Sequence, residues 1–195
     1  MSGLQEHISS LRVSGVNGDF IPQGSLFTLL DLRTVTFELQ KANHPVEDVF
    51  ETAELISRDG RKVFAILAEL SALAHINRFT SRGFLDAKLP FSKTDLLDIL
   101  GQDQTGLCAL FKKLQVDYLA PLWGGGSSSH KILIDEAVLP FVRERELSAG
   151  GFGRAIAVQL HPEHQGFFEE KANVGPRLLL PCFICARSLF VANLC

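Results

Sequence analysis

The sequence predicts a mainly α fold: a small helical bundle over residues 25–123, followed by a short β-hairpin within residues 130–165. Three observations predict it. Apolar residues recur at helical spacing in three stretches between Val46 and Leu114. Gly124-Gly125-Gly126-Ser127-Ser128-Ser129 then interrupts the pattern. Beyond it, Ile156, Val158 and Leu160 alternate with Ala155, Ala157 and Gln159, the period of a strand.

Apolar residues make up 46% of the chain and charged residues 21%, the balance of a globular protein that can bury a core. The net charge of −3, without a long run of like charge, gives no footprint for nucleic acid. Arg61-Lys62 and Lys112-Lys113 sit beside apolar residues and read as solvated helix edges. Residues 1–24 are mixed and polar, with Gly3, Gly15, Gly18 and Gly24 set against a helix, so a disordered leader is expected. It has no basic start followed by an apolar stretch, so it is not read as a secretory signal. Ser2 stands where myristoylation needs glycine. Three of the four cysteines, Cys182, Cys185 and Cys195, fall in the last 14 residues and cannot staple the chain, which points to a reducing, cytoplasmic setting.

The helices follow in order. Pro45 fits a first helical position, and Val46, Val49, Phe50, Ala53 and Ile56 share one face after it. Asp59-Gly60 marks a break. Val63, Ile66, Leu67, Leu70 and Leu73 form a second stripe, and a bend near Ser71 separates it from a segment with Ile76 and Phe79. Ser92 is placed to cap a short helix from Lys93 to Leu100, which Gly101 ends in left-handed geometry. Leu107, Leu110, Phe111 and Leu114 make the last stripe. Val116 to Trp123 reads as extended. The glycine-serine run lacks the Gly-Lys-Ser/Thr ending of a phosphate-binding loop, so it reads as a connector. Ile132 to Ile134 is a short candidate strand, whereas the apolar residues of Phe141 to Leu147 do not alternate cleanly.

The most informative segment is Leu147-Ser148-Ala149-Gly150-Gly151-Phe152-Gly153-Arg154-Ala155. Glycines in such a loop let backbone amides approach phosphate oxygens with no side chain between. Together with "KVFAILAEL", "LPFS", "LAPLW" and "HKILIDEAVLPFVRERELSAGGFGRAIAVQLHPEHQ", it resembles a group of fungal proteins in which a helical region precedes a serine/threonine-kinase-like domain. The likeness covers roughly Val35 to Gln165. It implies that Phe141 to Leu147 is the first kinase strand and that residues 130–165 are an incomplete kinase N-lobe. It also implies a vestigial ATP site at Ser148, Gly150, Gly151, Phe152, Gly153 and Ala155. Gly150 and Gly153 match the second and third glycines of the family pattern, and Phe152 its aromatic tip. Ser148 replaces the first glycine, and Ala155 the valine that packs on adenine. ATP with magnesium is the cofactor implied.

The resemblance also implies what is missing. A kinase next needs a lysine on its third strand for the α- and β-phosphates, and Lys171, the only lysine after the loop, lies in Glu169-Glu170-Lys171-Ala172. No His-Arg-Asp or Asp-Phe-Gly occurs in the chain. The 195-residue chain is therefore expected to be inactive by itself, with no catalytic residue. Residues 166–195 depart from the family and are expected to be an unstructured or aberrant apolar tail. Its Arg187 counts against a membrane anchor, at about 2.5–3.5 kcal/mol for an arginine at mid-bilayer. Cys182 with Cys185, and His161 with His164, each lack the further ligands of a metal site. Cys108 reads as a buried inert thiol. A non-enzymatic helical module that binds another protein is the alternative reading.

Overall fold

The segment Val63-Phe64-Ala65-Ile66-Leu67-Ala68 contains no polar side chain, and a helix that is apolar all round must be covered on every side. In the computed structural model, which describes residues 3–123, 130–131, 137–150, 153–165, 179–185 and 188–191, all six are buried. The chain divides into two units, Met1–Arg12 with Gln23–Leu119, and Val13–Pro22 with Ala120–Cys195.

The first unit is helical. Among the described residues it contains α1 (Gly3–Ser10), α2 (Gln23–Leu29), α3 (Leu32–Lys41), α4 (Val46–Asp59), α5 (Arg61–Glu69), α6 (Ile76–Thr80), α7 (Lys93–Leu100) and α8 (Thr105–Leu114). Helix α5 is the hub, packed by α1, α4 and α8. The single residue Gly60 separates α4 from α5, and a Cβ there would stand 3.1 Å from Leu85 Cδ2. At the α5 N-terminus the Asp86 carboxylate accepts from the amides of Lys62 (2.9 Å) and Val63 (3.0 Å). These are donors that the helix cannot satisfy itself, and the negative charge suits the helix dipole. Burial pushes the Asp86 carboxyl above its ordinary range and the Lys62 ammonium below its own.

A second centre is aromatic. Phe79 and Phe111 stack with centroids 5.5 Å apart, and Phe91 lies 5.9 Å and 5.8 Å from them. Buried Gln115 fixes Phe91 by accepting from its amide (2.8 Å) and donating to its carbonyl (3.0 Å), so both ends of the amide are satisfied. Ser92 and Asp95 form the capping box of α7, as the Ser92 reading anticipates, and Gly101 ends it at φ +108°. Ser71 turns at φ +53°, at the expected bend.

Several expectations need correction. The leader expected at residues 1–24 is ordered over residues 3–24. Leu4 and Ile8, four apart on α1, are buried, and α1 packs on α5. Pro45 precedes α4 instead of opening it. Phe50 (59% exposed) and Leu110 (55%) leave the stripes assigned to them. Along α8 and into the turn that follows it, the buried line runs Cys108, Phe111, Gln115, which turns Leu110 outward. Residues 115–118 form a tight helical turn, not an extended segment, and Ala120 and Trp123 belong to the second unit.

That second unit is β-rich. Strands β1 (Val13–Gly15) and β2 (Gly18–Phe20) form one hairpin. Strands β3 (His130–Lys131), β4 (Phe141–Gly150), β5 (Gly153–Leu160), β6 (Leu179–Cys185) and β7 (Ser188–Val191) form an antiparallel sheet in the order β3-β7-β6-β5-β4. Residues 132–134 lie outside the described residues. The expectation of an unstructured tail gives way for residues 179–185 and 188–191, whose backbones pair in this sheet. Pro181 is tolerated because β7 pairs only with residues 182–185, leaving that part of β6 at an edge. The remainder of 166–195 lies outside the described residues. No helix among the described residues is long and apolar enough to cross a membrane.

Tyr118 supplies a pH-dependent expectation. It is the only tyrosine, 3% exposed, and its hydroxyl donates to the Glu69 carboxylate. Burial first, then the Glu69 charge, holds its ionisation far above the ordinary value. A folded state that keeps a proton which the unfolded state has lost becomes less stable as pH rises. Stability should therefore fall above about pH 10, by up to about 1.4 kcal/mol per unit. In an alkaline titration the tyrosinate band should appear only as the helical signal is lost. Its appearance at an ordinary tyrosine pH in a chain of intact helicity would refute the buried placement.

Candidate functional site

The glycine-rich segment lies on the β4–β5 hairpin. Ser148 pairs with Ala155, Ala149 with Arg154, and Gly150 with Gly153, so the backbone brings four of the six expected site residues to one end of the hairpin. Gly151 and Phe152, which join Gly150 to Gly153, lie outside the described residues. The register slips by one residue between Phe141 and Arg143, and again between Glu146 and Ser148. Each slip is a bulge that puts two β4 residues opposite one on β5. This is why the apolar residues of 141–147 fail to alternate in the sequence: Val142 and Leu147 are the extra residues. Strand β4 is the sheet edge, and Arg143, Glu144, Arg145 and Glu146 are all exposed. A charged edge discourages pairing with another chain.

Strand β5 holds the hairpin in place. Ile156, Ala157, Val158 and Leu160 are all buried, so the strand is covered on both faces at 156–158, where the sequence shows only alternation. Its other neighbour is β6, with Ala155 opposite Phe183, Ile156 opposite Cys182 and Ala157 opposite Pro181. The β6 residues are Leu179-Leu180-Pro181-Cys182-Phe183-Ile184-Cys185, so the strand beside β5 carries no lysine. Lys171 lies outside the described residues.

Behind the hairpin is a small core that sequence reasoning missed. Phe20 is fully buried and meets the rings of His161 (5.6 Å) and His164 (5.3 Å) edge-on. Trp123 faces Phe141 at 6.0 Å, and its amide donates to the His164 carbonyl at 2.8 Å. The Pro121 carbonyl lies 3.1 Å from His164 Nδ1, and the His161 amide donates to the Pro140 carbonyl at 2.9 Å. Asn17, at the β1–β2 turn, accepts from the Leu139 amide (2.9 Å) and donates to the Ala137 carbonyl (3.2 Å), while the Val16 amide donates to the Phe141 carbonyl (2.8 Å). Residues 13–20 thus brace the start of β4. Asn17-Gly18 between Gly15 and Phe20 is a hairpin signal, and it was the clue available in the sequence.

His161 and His164 are therefore occupied as packing residues, and burial lowers the His161 pKa. Among the described residues no group of three or more His, Cys, Asp or Glu is placed to hold a metal ion. Cys108, 1% exposed, is buried in the helical unit, and burial raises its thiol pKa, the opposite of what a reactive cysteine needs. Chemically, the arrangement offers a backbone flap on an antiparallel sheet. Comparison with protein-family models, with curated proteins and with solved structures finds no match for this chain.

Proposed function

We propose that the β4–β5 hairpin is a nucleotide flap of the protein-kinase type, carried by a chain that does not itself transfer phosphate. The single observation that carries this reading is the pairing of Gly150 with Gly153 at the end of a two-stranded antiparallel hairpin. Glycines at both positions leave the approach to the backbone amides clear, as phosphate oxygens require. Phosphoryl transfer depends on a cation, a positioned base and a metal clamp converging on one nucleotide. The sequence supplies no His-Arg-Asp or Asp-Phe-Gly, and β6 offers no lysine beside β5.

A flap without the remaining pocket binds weakly. With Mg-ATP near its dissociation constant, a ligand that binds only the folded state adds about 0.4 kcal/mol. A thermal shift of a degree or two at millimolar Mg-ATP is expected, with saturation-transfer signals on the adenine protons that Gly150→Val and Gly153→Val remove. No signal at any millimolar concentration would discard the nucleotide reading. Transfer of labelled γ-phosphate by the purified chain would discard the claim of inactivity.

A second reading is favoured by Phe37 and Phe50, which are 61% and 59% exposed on α3 and α4. Large exposed aromatics with charged neighbours mark surfaces that bind protein. On this reading the helical unit is a non-enzymatic interaction module.

A further inference from the structure

Helices α3 and α4 are joined by residues 42–45 and pack on each other as a helical hairpin. Phe37 lies four residues before the last residue of α3, and Phe50 four residues after the first of α4. At the rise of an α-helix, each is about 6 Å from the turn end of the hairpin. The two exposed aromatics thus stand at the same height on neighbouring helices.

Their flanks carry opposite charge. On α3, Arg33 and Lys41 lie four residues to either side of Phe37, in one exposed stripe. On α4, Glu47 and Glu54 lie three and four residues to either side of Phe50, also exposed. Lys41 lies 3.6 Å from Glu38, whose side chain is 9% exposed, while its own side chain is 49% exposed and open to a second carboxylate. Measured from the turn, α3 reads positive, aromatic, positive at roughly 0, 6 and 12 Å, and α4 reads negative, aromatic, negative at nearly the same heights.

We propose that the α3–α4 hairpin is a self-complementary surface whose partner is a second copy of this chain. The inference rests on the reading of the helical unit as an interaction module and names its partner. A twofold axis running along the hairpin, parallel to both helices, sets α3 of one copy against α4 of the other, twice, at equal heights. Phe37 then meets Phe50, Arg33 meets Glu54, and Lys41 meets Glu47. Because each copy presents one basic and one acidic helix, these contacts close on themselves, as a twofold interface requires. A hydrophobic partner without charge, or a basic segment alone, would satisfy only one of the two helices.

Sedimentation equilibrium of the full chain tests this. The unmodified chain should be a dimer at tens of micromolar or above, on the order of a weak, transient interface. Arg33→Glu with Lys41→Glu makes both helices acidic and should raise the dissociation constant by at least about tenfold. Glu47→Lys with Glu54→Lys makes both basic and should do the same. An equimolar mixture of these two variants should restore dimers, each charge again meeting its opposite. All four positions are exposed, and circular dichroism checks that helicity is kept. A monomer at every concentration would overturn the second copy as partner, and the module reading would still stand if a heterologous protein protected Phe37 and Phe50 from exchange or labelling. A dimer indifferent to both charge reversals, or a mixture that fails to reassociate, would also overturn the proposal.

Discussion

Phe111→Ala is expected to destabilise the helical unit by about 3–5 kcal/mol, the cost of emptying a fully buried aromatic site. Phe111 is 0% exposed and stacks on Phe79 at 5.5 Å, with Phe91 at 5.8 Å. Truncation removes both ring contacts and leaves a cavity that Phe79 and Phe91 cannot fill without leaving their own positions. Phe91 is tethered through its backbone to Gln115, which limits relaxation further. Natural domains have about 5–15 kcal/mol of stability in total, so the melting temperature should fall by more than about 10 °C. Leu110→Ala is the matched control. Its side chain is 55% exposed and should change stability by no more than about 0.5 kcal/mol. Thermal denaturation of the pair reads the rotation of α8 directly. Equal losses from neighbouring positions would mean that α8 is turned differently about its axis.

Glu69→Ala should cost about 3 kcal/mol and loosen α1 selectively. The Glu69 side chain is 9% exposed and receives the Arg12 guanidinium on both oxygens, at 2.9 Å and 3.0 Å. It also accepts from the Tyr118 hydroxyl and, at 3.4 Å, from Ser9. Arg12 reaches Asp117 as well, so one guanidinium ties two carboxylates from distant parts of the chain. Removing Glu69 strands a buried hydroxyl and leaves the half-buried Arg12 with Asp117 alone, whereas Glu69→Gln keeps acceptors in place and should cost about half as much. Hydrogen exchange localises the effect. Amides of Gly3–Ser10 should lose protection first, because the lost carboxylate holds Ser9 and Arg12 at the end of α1. Arg12→Ala combined with Glu69→Ala should cost less than the sum of the two. Strict additivity, or α7 exchanging as fast as α1, would contradict the cluster.

Much of the helical unit was legible in the sequence because its signals are local. Ser92 with Asp95, the break at Gly60 and the turn at Ser71 depend on residues only a few positions apart. The stripes were legible as helices but not as faces. Phe50 and Leu110 look like core residues beside Val49 and Phe111, and only the placement of neighbouring helices decides which side is covered. At the candidate site, the ends of the hairpin were legible as a glycine-rich turn between two apolar segments. Its two bulges were not, because each shifts the alternation that sequence reading relies on.

The sequence by itself determined the helical segments between Val46 and Leu114, the point where composition turns from helix to strand, and the location of the glycine-rich turn. These follow from periodicity and from residues with special backbone freedom, which act within a few positions of one another. Tertiary structure alone decided that residues 13–20 brace β4, that α1 closes over α5 through Arg12 and Glu69, and that His161 and His164 pack on Phe20. Those outcomes join residues separated by 57 to 144 positions along the chain, as in Arg12 with Glu69 (69 − 12 = 57) and Phe20 with His164 (164 − 20 = 144). Burial and hydrogen bonding across such separations are set by which surfaces meet, and no local pattern encodes that choice.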